Sequence, residues 1–84
     1  MPTVLFTAHL RRVAPARVMA HGATVREALL HVFKAHPGLA SYVLDDQKRL
    51  RKHVVLFTDG EKASLDDSVT PETEIAVLQA LSGG

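Results

Sequence analysis

Hydrophobic and polar residues alternate along the first segment of the chain, from Thr3 to Leu10. Val4 and Phe6 fall on one face of this segment, and Leu5 falls on the other. Because successive side chains of a strand point to opposite faces, the alternation predicts a first β-strand. The pattern breaks and then resumes over residues 16–20, which predicts a second strand that pairs back on the first as a hairpin.

A helix is predicted to begin at Thr24. Residues 24–27, Thr-Val-Arg-Glu, match the capping box, in which the hydroxyl and the carboxylate each accept a hydrogen bond from a backbone amide. Apolar residues then recur at helical spacing, at Val25, Ala28, Leu29 and Val32, with His36 next in the series. Pro37 and Gly38 end the predicted helix, because proline cannot continue the hydrogen-bond ladder.

Three further strands are predicted in the second half of the chain. The run from His53 to Thr58 is almost wholly apolar, which predicts a strand buried on both faces and central to a sheet. Asp59 and Gly60 predict a two-residue hairpin turn, followed by a short strand over residues 61–64. The last predicted strand runs from Glu74 to Leu81 and leads into two glycines.

The order of these elements predicts an α+β domain. A mixed sheet of four to five strands would grip one main helix, which is the ubiquitin-like β-grasp arrangement. With 84 residues, 46% of them hydrophobic and 23% charged, the chain is long enough for one folded domain and too short for two. The predicted domain covers residues 1–84 and ends in a flexible Gly-Gly tail at residues 81–84.

The composition excludes several classes of function. A net charge of +1 gives little field for attracting nucleic acid or a membrane surface, and the chain shows neither a long apolar run nor a secretory signal. We therefore expect a cytoplasmic protein that binds neither nucleic acid nor a membrane. The absence of cysteine excludes disulfides, thiolate metal sites and cysteine nucleophiles. The five histidines show no metal-site spacing, so we expect no metal.

Two basic clusters stand out against this balanced charge. One is the run from Lys48 to Lys52, and the other combines Arg11-Arg12 with Arg17. Such clusters can contact an acidic protein surface, and they can bind RNA when aromatic residues are interleaved with them. No aromatic residue accompanies either cluster, which favours solvated loops.

Four segments together resemble the MoaD/ThiS family of ubiquitin-like sulfur carrier proteins. They are Val4-Leu5-Phe6, the helix start Gly22–Leu29, Asp59-Gly60-Glu61 and the terminal Gly83-Gly84. Each segment is weakly specific alone, but their order and spacing extend the resemblance over essentially the whole chain. The insert at residues 44–54 makes the chain more similar to MoaD and to CysO-type carriers than to ThiS.

The resemblance implies a reaction at the C-terminal carboxylate. A free terminal carboxyl group has a pKa of about 3.5, so it is ionised at neutral pH and is a poor electrophile. In the family, an adenylating enzyme of the MoeB/ThiF type uses ATP to form an acyl-adenylate, here on Gly84. Sulfur from a persulfide or sulfide then displaces AMP and leaves a thiocarboxylate. The chain would be a co-substrate that binds no cofactor, or the small subunit of a complex such as molybdopterin synthase, and would not itself be an enzyme.

The candidate site residues lie in the last strand, the tail and the third strand. Gly84 carries the implied chemistry, and Gly83 lets the tail lie in a narrow channel because it has no Cβ. Leu78 points away from the face that the helix is predicted to cover, and the family docks its partners through apolar sheet residues there. The candidate partner-binding residues are Leu78, Leu81, Ser82 and Leu56.

The resemblance leaves more than one function open. As a sulfur carrier, the chain would supply molybdopterin synthase through its large subunit, with a cysteine synthase or a thiazole synthase type of enzyme as rival acceptors. As a ubiquitin-like modifier, it would be joined through Gly84 to lysines of target proteins. As a β-grasp binding module, it would carry an inert tail.

Overall fold

The strands of the computed structural model, which describes residues 1–7, 10–11 and 14–79, form one mixed sheet. They are β1 (Thr3–Phe6), β2 (Arg17–Met19), β3 (Val54–Thr58), β4 (Glu61–Ala63) and β5 (Glu74–Gln79). Within the described residues the strand order is β2-β1-β5-β3-β4. β1 and β5 are parallel, and the other neighbouring pairs are antiparallel. This is the mixed sheet that the sequence predicts.

Helix α1 (Val25–Ala35) begins at the predicted cap. The Thr24 hydroxyl accepts a hydrogen bond from the Glu27 amide at 3.2 Å, and the Glu27 carboxylate accepts one from the Ala23 amide at 2.8 Å. The carboxylate thus reaches one residue further back than in the usual capping box. Both contacts hold the first turn of α1 in place.

The chain stays helical for longer than the sequence predicts. After α1 ends at Ala35, a 3-10 turn (Pro37–Leu39) leads into a short helix α2 (Ala40–Val43). Leu39, Val43 and Leu44 are buried in this stretch. The short second helix therefore closes one end of the core, where the sequence indicated an irregular segment.

The core lies between α1 and one face of the sheet. Its sheet residues are buried to 4% exposure or less: Val4, Phe6, Val54, Leu56, Ile75 and Val77. The helix contributes Val25, Ala28, Leu29 and Val32 of the predicted stripe together with Phe33, whereas His36 lies just after the helix and is only half-buried. Complete burial of a large aliphatic side chain stabilises the fold by about 1.5 to 3 kcal/mol, so this single interface accounts for much of the stability of the domain.

One prediction about β3 is wrong and one is confirmed. Val54 and Leu56 are buried, but Val55 and Phe57 are only half-buried, because no helix among the described residues covers the second face of the sheet. β3 lies inside the sheet, as predicted, with β5 on one side and β4 on the other. The first strand is also shorter than predicted: it ends at Phe6, and the Leu10 amide donates to the Thr7 carbonyl at 2.9 Å.

Candidate functional site

The face of the sheet opposite α1 carries a partly exposed apolar strip, here called the open face: Leu5, Val55, Phe57, Ala76 and Leu78. Strand register sets these side chains beside one another. Leu5 is opposite Ala76, Ala76 is opposite Phe57, and Val55 is opposite Leu78. All five side chains are half-buried, so each packs against its neighbours in the sheet and still exposes apolar surface to solvent.

The open face follows from local sequence. In β5, Ile75 and Val77 point into the core, so Ala76 and Leu78 must point the other way. In β3 the register is fixed by the turn at Asp59 and Gly60, where φ is 48° and 87°. Positive φ at both positions is typical of the type I′ hairpin turn, which agrees with the prediction from Asp-Gly.

Charged residues flank the open face. In the row that runs through Leu5, Ala76 and Phe57, Arg17 lies at one edge and Lys62 at the other. Nη2 of Arg17 lies 3.9 Å from Oε2 of Glu74, and this exposed ion pair adds little stability. A small apolar centre with a charged rim is the usual anatomy of a protein–protein interface. The open face is therefore suited to docking a partner.

The predicted site residues have different outcomes. Leu78 lies on the open face, as predicted. Leu56 is 1% exposed and points into the core, so its prediction as a partner-binding residue is wrong: it alternates with Val55 and Phe57, which take the outward positions. The remaining predicted residues, Leu81, Ser82, Gly83 and Gly84, lie outside the described residues.

The sequence reading missed four of the five open-face residues: Leu5, Val55, Phe57 and Ala76. One signal was available for Phe57. The Asp-Gly turn pairs Phe57 with Lys62, and a lysine beside it indicates the solvent side of the sheet. The adjacent pair, Leu56 with Ala63, is apolar on both strands and marks the core side.

Comparison with known proteins identifies the family. A profile of the ThiS family matches residues 4–84. The chain belongs to the ThiS family. The resemblance to MoaD/ThiS carriers seen in the sequence is therefore confirmed, and members of this family are small ubiquitin-like carrier or modifier proteins rather than catalysts.

Relatives of this ThiS-family chain share its sequence and its fold. Small archaeal modifier protein 1 of Haloferax volcanii is 37% identical over 62 residues, which cover 74% of this chain and 71% of that protein. Its crystal structure has a TM-score of 0.84 at 34% identity, covering 99% of this chain and 98% of that one. A chain of the Amycolatopsis orientalis BexX/CysO complex has a TM-score of 0.87 at 26% identity, with 100% of each chain covered. The predicted β-grasp fold is confirmed.

A histidine pair fastens the segment before α1 to the helix of this ThiS-family chain. The His21 amide donates to Nδ1 of His31 at 2.6 Å, and the two rings stack with centroids 5.1 Å apart at an angle of 3°. The acceptor role of Nδ1 leaves the proton of the neutral His31 ring on Nε2. Sequence spacing did not indicate this contact, because the residues are ten apart and belong to different elements.

A groove of about 510 Å³ lies on the helix side of the domain, away from the open face. Its floor is apolar, with Leu30, Phe33 and Leu44, and charged residues that include Lys48 and Arg51 line its rim. The groove does not join the open face, so it does not extend the docking site described above.

The loop from Asp45 to Arg49 is held by the Asp45 carboxylate. Its Oδ1 accepts hydrogen bonds from the amides of Arg49 and Gln47, each at 2.9 Å, and Oδ2 accepts one from Arg49 Nε at 3.2 Å. The Arg49 amide lowers the pKa of Asp45 below its usual 3.8, helped by the Gln47 amide and the Arg49 charge, whereas desolvation acts in the opposite direction. This carboxylate is structural, as its turn context predicts.

Across residues 1–7, 10–11 and 14–79, the carboxylates and histidines form no group of three or more that could hold a metal ion. No helix in the same ranges is long and apolar enough to cross a bilayer.

Proposed function

We propose that this chain is a sulfur carrier whose Gly84 carboxylate is adenylated and then converted to a thiocarboxylate. The observation that carries the proposal is the extent of the family match, which runs through the whole domain and includes Gly83 and Gly84. The tail continues from β5, the middle strand of the sheet. A folded domain followed by two residues without side chains is suited to delivering a carboxylate into a narrow active site.

The chemistry requires an external enzyme. A Gly84 carboxylate oxygen attacks the α-phosphate of ATP, which gives the acyl-adenylate and releases pyrophosphate. Hydrosulfide then attacks the carbonyl carbon, forms a C–S bond and expels AMP, and the product is the thiocarboxylate. A persulfide donor gives an acyl disulfide in the same way, and a thiol must then reduce its S–S bond. ATP and the catalytic groups belong to a MoeB/ThiF-like adenylating enzyme, and the carrier itself binds no cofactor.

The open face is the surface that we assign to docking. Leu78 lies one residue before Gln79, the last described residue, so a partner seated on Leu78 is already beside the start of the tail. Val55 and Phe57 extend the same apolar surface on the neighbouring strand. Apolar anchors at the centre of an interface supply much of its binding energy, because their contacts exclude water.

The enzyme that accepts the sulfur is proposed from the insert and from one relative. The MoaD-like insert favours a molybdopterin synthase large subunit, with this chain as the small subunit. The similarity to a chain of the BexX/CysO complex supports the alternatives, a cysteine synthase or thiazole synthase type of enzyme or another enzyme that makes a thio-metabolite. In each case, loss of sulfur from Gly84 regenerates the carrier carboxylate.

A second candidate function rests on a specific relative. The protein that is 37% identical over 62 residues is named a modifier, which favours attachment of Gly84 to lysines of target proteins. The adenylation step is the same, so the acceptor separates the two functions. Sulfur transfer leaves a free carrier, whereas modification leaves an isopeptide bond.

The test is intact mass spectrometry after incubation with ATP, sulfide and the adenylating enzyme of the same organism. We expect the mass gain of one oxygen-to-sulfur exchange, followed by one alkylation when an alkylating reagent is added. The chain contains no cysteine, so fragment ions map the alkyl group without interference. A mass gain on Met1 or Met19 would be oxidation. An unmodified Gly84 in the presence of an active enzyme would overturn the proposal.

Docking on the open face is tested with Leu78→Asn. We expect binding to the adenylating enzyme to weaken by about 1 to 3 kcal/mol, with the circular dichroism spectrum unchanged. The matched control is Leu30→Asn, which makes the same change at a 39% exposed residue of α1. Equal affinities for the two variants would remove Leu78 from the interface.

A further inference from the structure

The position from which the tail leaves the sheet is well defined. Gln79, the last described residue of β5, is paired with Val54 at the start of β3. On its other side its amide donates to the Thr7 hydroxyl, just after β1, at 3.5 Å. Gln79 therefore lies between the end of β1 and the beginning of β3, and the tail follows it in the sequence.

Basic residues lie on both sides of this exit. On the β1 side, the Leu10 amide donates to the Thr7 carbonyl at 2.9 Å, which keeps Leu10 and the adjoining Arg11 at this end of the sheet. On the β3 side, the Val54 amide donates to the Arg51 carbonyl at 3.0 Å, which keeps Arg51 and Lys52 at the same end. All three basic side chains are exposed. We name Arg11, Arg51 and Lys52 the basic collar.

The opposite end of the same strands is acidic. Asp59 follows β3 and Glu61 begins β4, while Glu72 and Glu74 lie just before and at the start of β5. Asp59 and Glu74 are adjacent. The Asp59 amide donates to the Glu74 carbonyl at 2.9 Å, and the Glu74 amide donates to the Asp59 carboxylate at 3.0 Å. Although the net charge is only +1, basic and acidic residues therefore lie at opposite ends of the strands.

The collar charges have no acidic partner among the described residues. The ion pairs found there use Arg17, Arg26 and Arg49 instead. Arg51 donates from Nε to the Ser41 carbonyl at 2.6 Å, a contact that holds the side chain at the rim of the groove, which Asp45 and Asp46 also line. Asp45 is already engaged by Arg49, which leaves Asp46 as the exposed carboxylate of the neighbouring loop.

We propose that the basic collar docks against an acidic surface around the channel of the adenylating enzyme and steers the tail into that channel. This inference rests on the proposed function. Insertion of the tail brings the rim of the channel against the residues that surround residue 79, and Arg11, Arg51 and Lys52 occupy that position on both flanks. Complementary charge at such a rim acts mainly on the rate of association. The open face supplies apolar contact, and the collar supplies the direction of approach.

The collar fits an acidic protein surface better than RNA. Single-stranded nucleic acid binding relies on aromatic side chains interleaved with the charges. Neither flank of the exit, residues 10–11 nor residues 51–53, contains a phenylalanine, tyrosine or tryptophan. The tail also carries its own negative carboxylate, which an acidic rim alone would repel, so compensating cations beside the tail are needed for its entry.

The test measures association with the adenylating enzyme by stopped flow, from low to high salt. Arg11→Glu and Lys52→Glu, each alone, are expected to lower the association rate constant by about tenfold at low salt and to flatten its salt dependence. The dissociation rate should change less. The matched control is Lys48→Glu, with the same change of charge. Lys48 lies at the rim of the groove on the helix side, where its carbonyl accepts from Arg26 Nη1 at 3.0 Å; Arg51 shares that rim, so the comparison uses Arg11 and Lys52.

Each outcome has one meaning. Collar variants slower than Lys48→Glu, with adenylation of Gly84 normal at saturating enzyme, would support the inference. Collar variants equal to the control, with normal adenylation, would overturn the inference alone. Binding of wild-type chain to a poly(U) probe that is lost in the collar variants, without a change in the enzyme association rate, would assign the collar to RNA and also overturn it. Failure of wild-type chain to be adenylated would overturn the proposed function together with the collar.

Discussion

The two faces of the sheet are made from the same strands but differ in what covers them. Val77 and Leu56 lie on the covered face and are no more than 1% exposed. Their sequence neighbours Leu78 and Phe57 lie on the open face and remain partly exposed. A shift of one residue along a strand thus moves a side chain from the core to the docking surface. Stability and recognition are assigned to alternate positions, so they can be altered separately.

The largest effect is expected from breaking the covered face at Leu56. Leu56→Ala removes a core side chain and should lower the free energy of unfolding by about 2 to 5 kcal/mol, because it also leaves a cavity. Phe57→Ala is its partner on the open face and should cost less stability, since Phe57 is already partly solvated. Chemical denaturation of both variants makes the comparison. Equal losses would mean that the two faces contribute equally to the fold.

The apolar character of both faces explains what the sequence could and could not predict. Thr24 and the Asp59-Gly60 turn were predicted correctly because their signals are local: a hydroxyl three residues from an amide, and two residues that tolerate positive φ. The burial of β3 was predicted incorrectly. An apolar face that is exposed for a partner has the same sequence pattern as an apolar face that is buried in a core, so the sequence does not distinguish them. Strand order and the placement of Arg11 and Arg51 on the two sides of Gln79 depend on contacts between distant segments, which periodicity does not encode.

A second prediction concerns how tightly α1 is held on the covered face. A Cβ at Gly22 would meet the backbone nitrogen of Ala28 and lie 2.9 Å from the Glu27 carbonyl carbon. Gly22→Ala should therefore lower the free energy of unfolding by about 1 to 3 kcal/mol. Gly38→Ala is the matched control, because nothing lies within 4 Å of the Cβ position. If thermal denaturation shows similar midpoints for both variants, the approach at Gly22 is not structurally important.

A smaller effect is expected at the helix cap. Thr24→Ala removes the acceptor of the Glu27 amide and should cost about 1 kcal/mol of stability. Thr24→Ser keeps the hydroxyl and should stay near wild type. Since the cap lies at the edge of the covered face, the loss should leave binding through the open face unchanged. Denaturation and binding measurements on both variants check this, and a binding defect in Thr24→Ala would show that the two faces are coupled.

The smallest effect is expected at Asp45, in a loop that belongs to neither face. Its pKa is lowered in the folded chain, so its ionised form contributes stability above the unfolded value of about 3.9, and this contribution is lost as the pH falls through the folded value. Asp45→Asn should be less stable than wild type at neutral pH, and the difference should shrink below pH 3.8. Denaturation across this range, with Asp46→Asn as the control, is the measurement. A constant difference would argue against the charge as the cause.

The parallel pairing of β1 with β5 has a consequence for biosynthesis. The strand near the beginning of the chain takes its place beside the strand that precedes the tail, with Thr3 opposite Glu74 and Phe6 opposite Val77. Contacts between such distant segments form late, since the loop between them must close first. While the ribosome still holds the last strand, the sheet lacks its middle member and the two half-sheets are not joined. The nascent chain therefore completes its fold only after β5 has emerged.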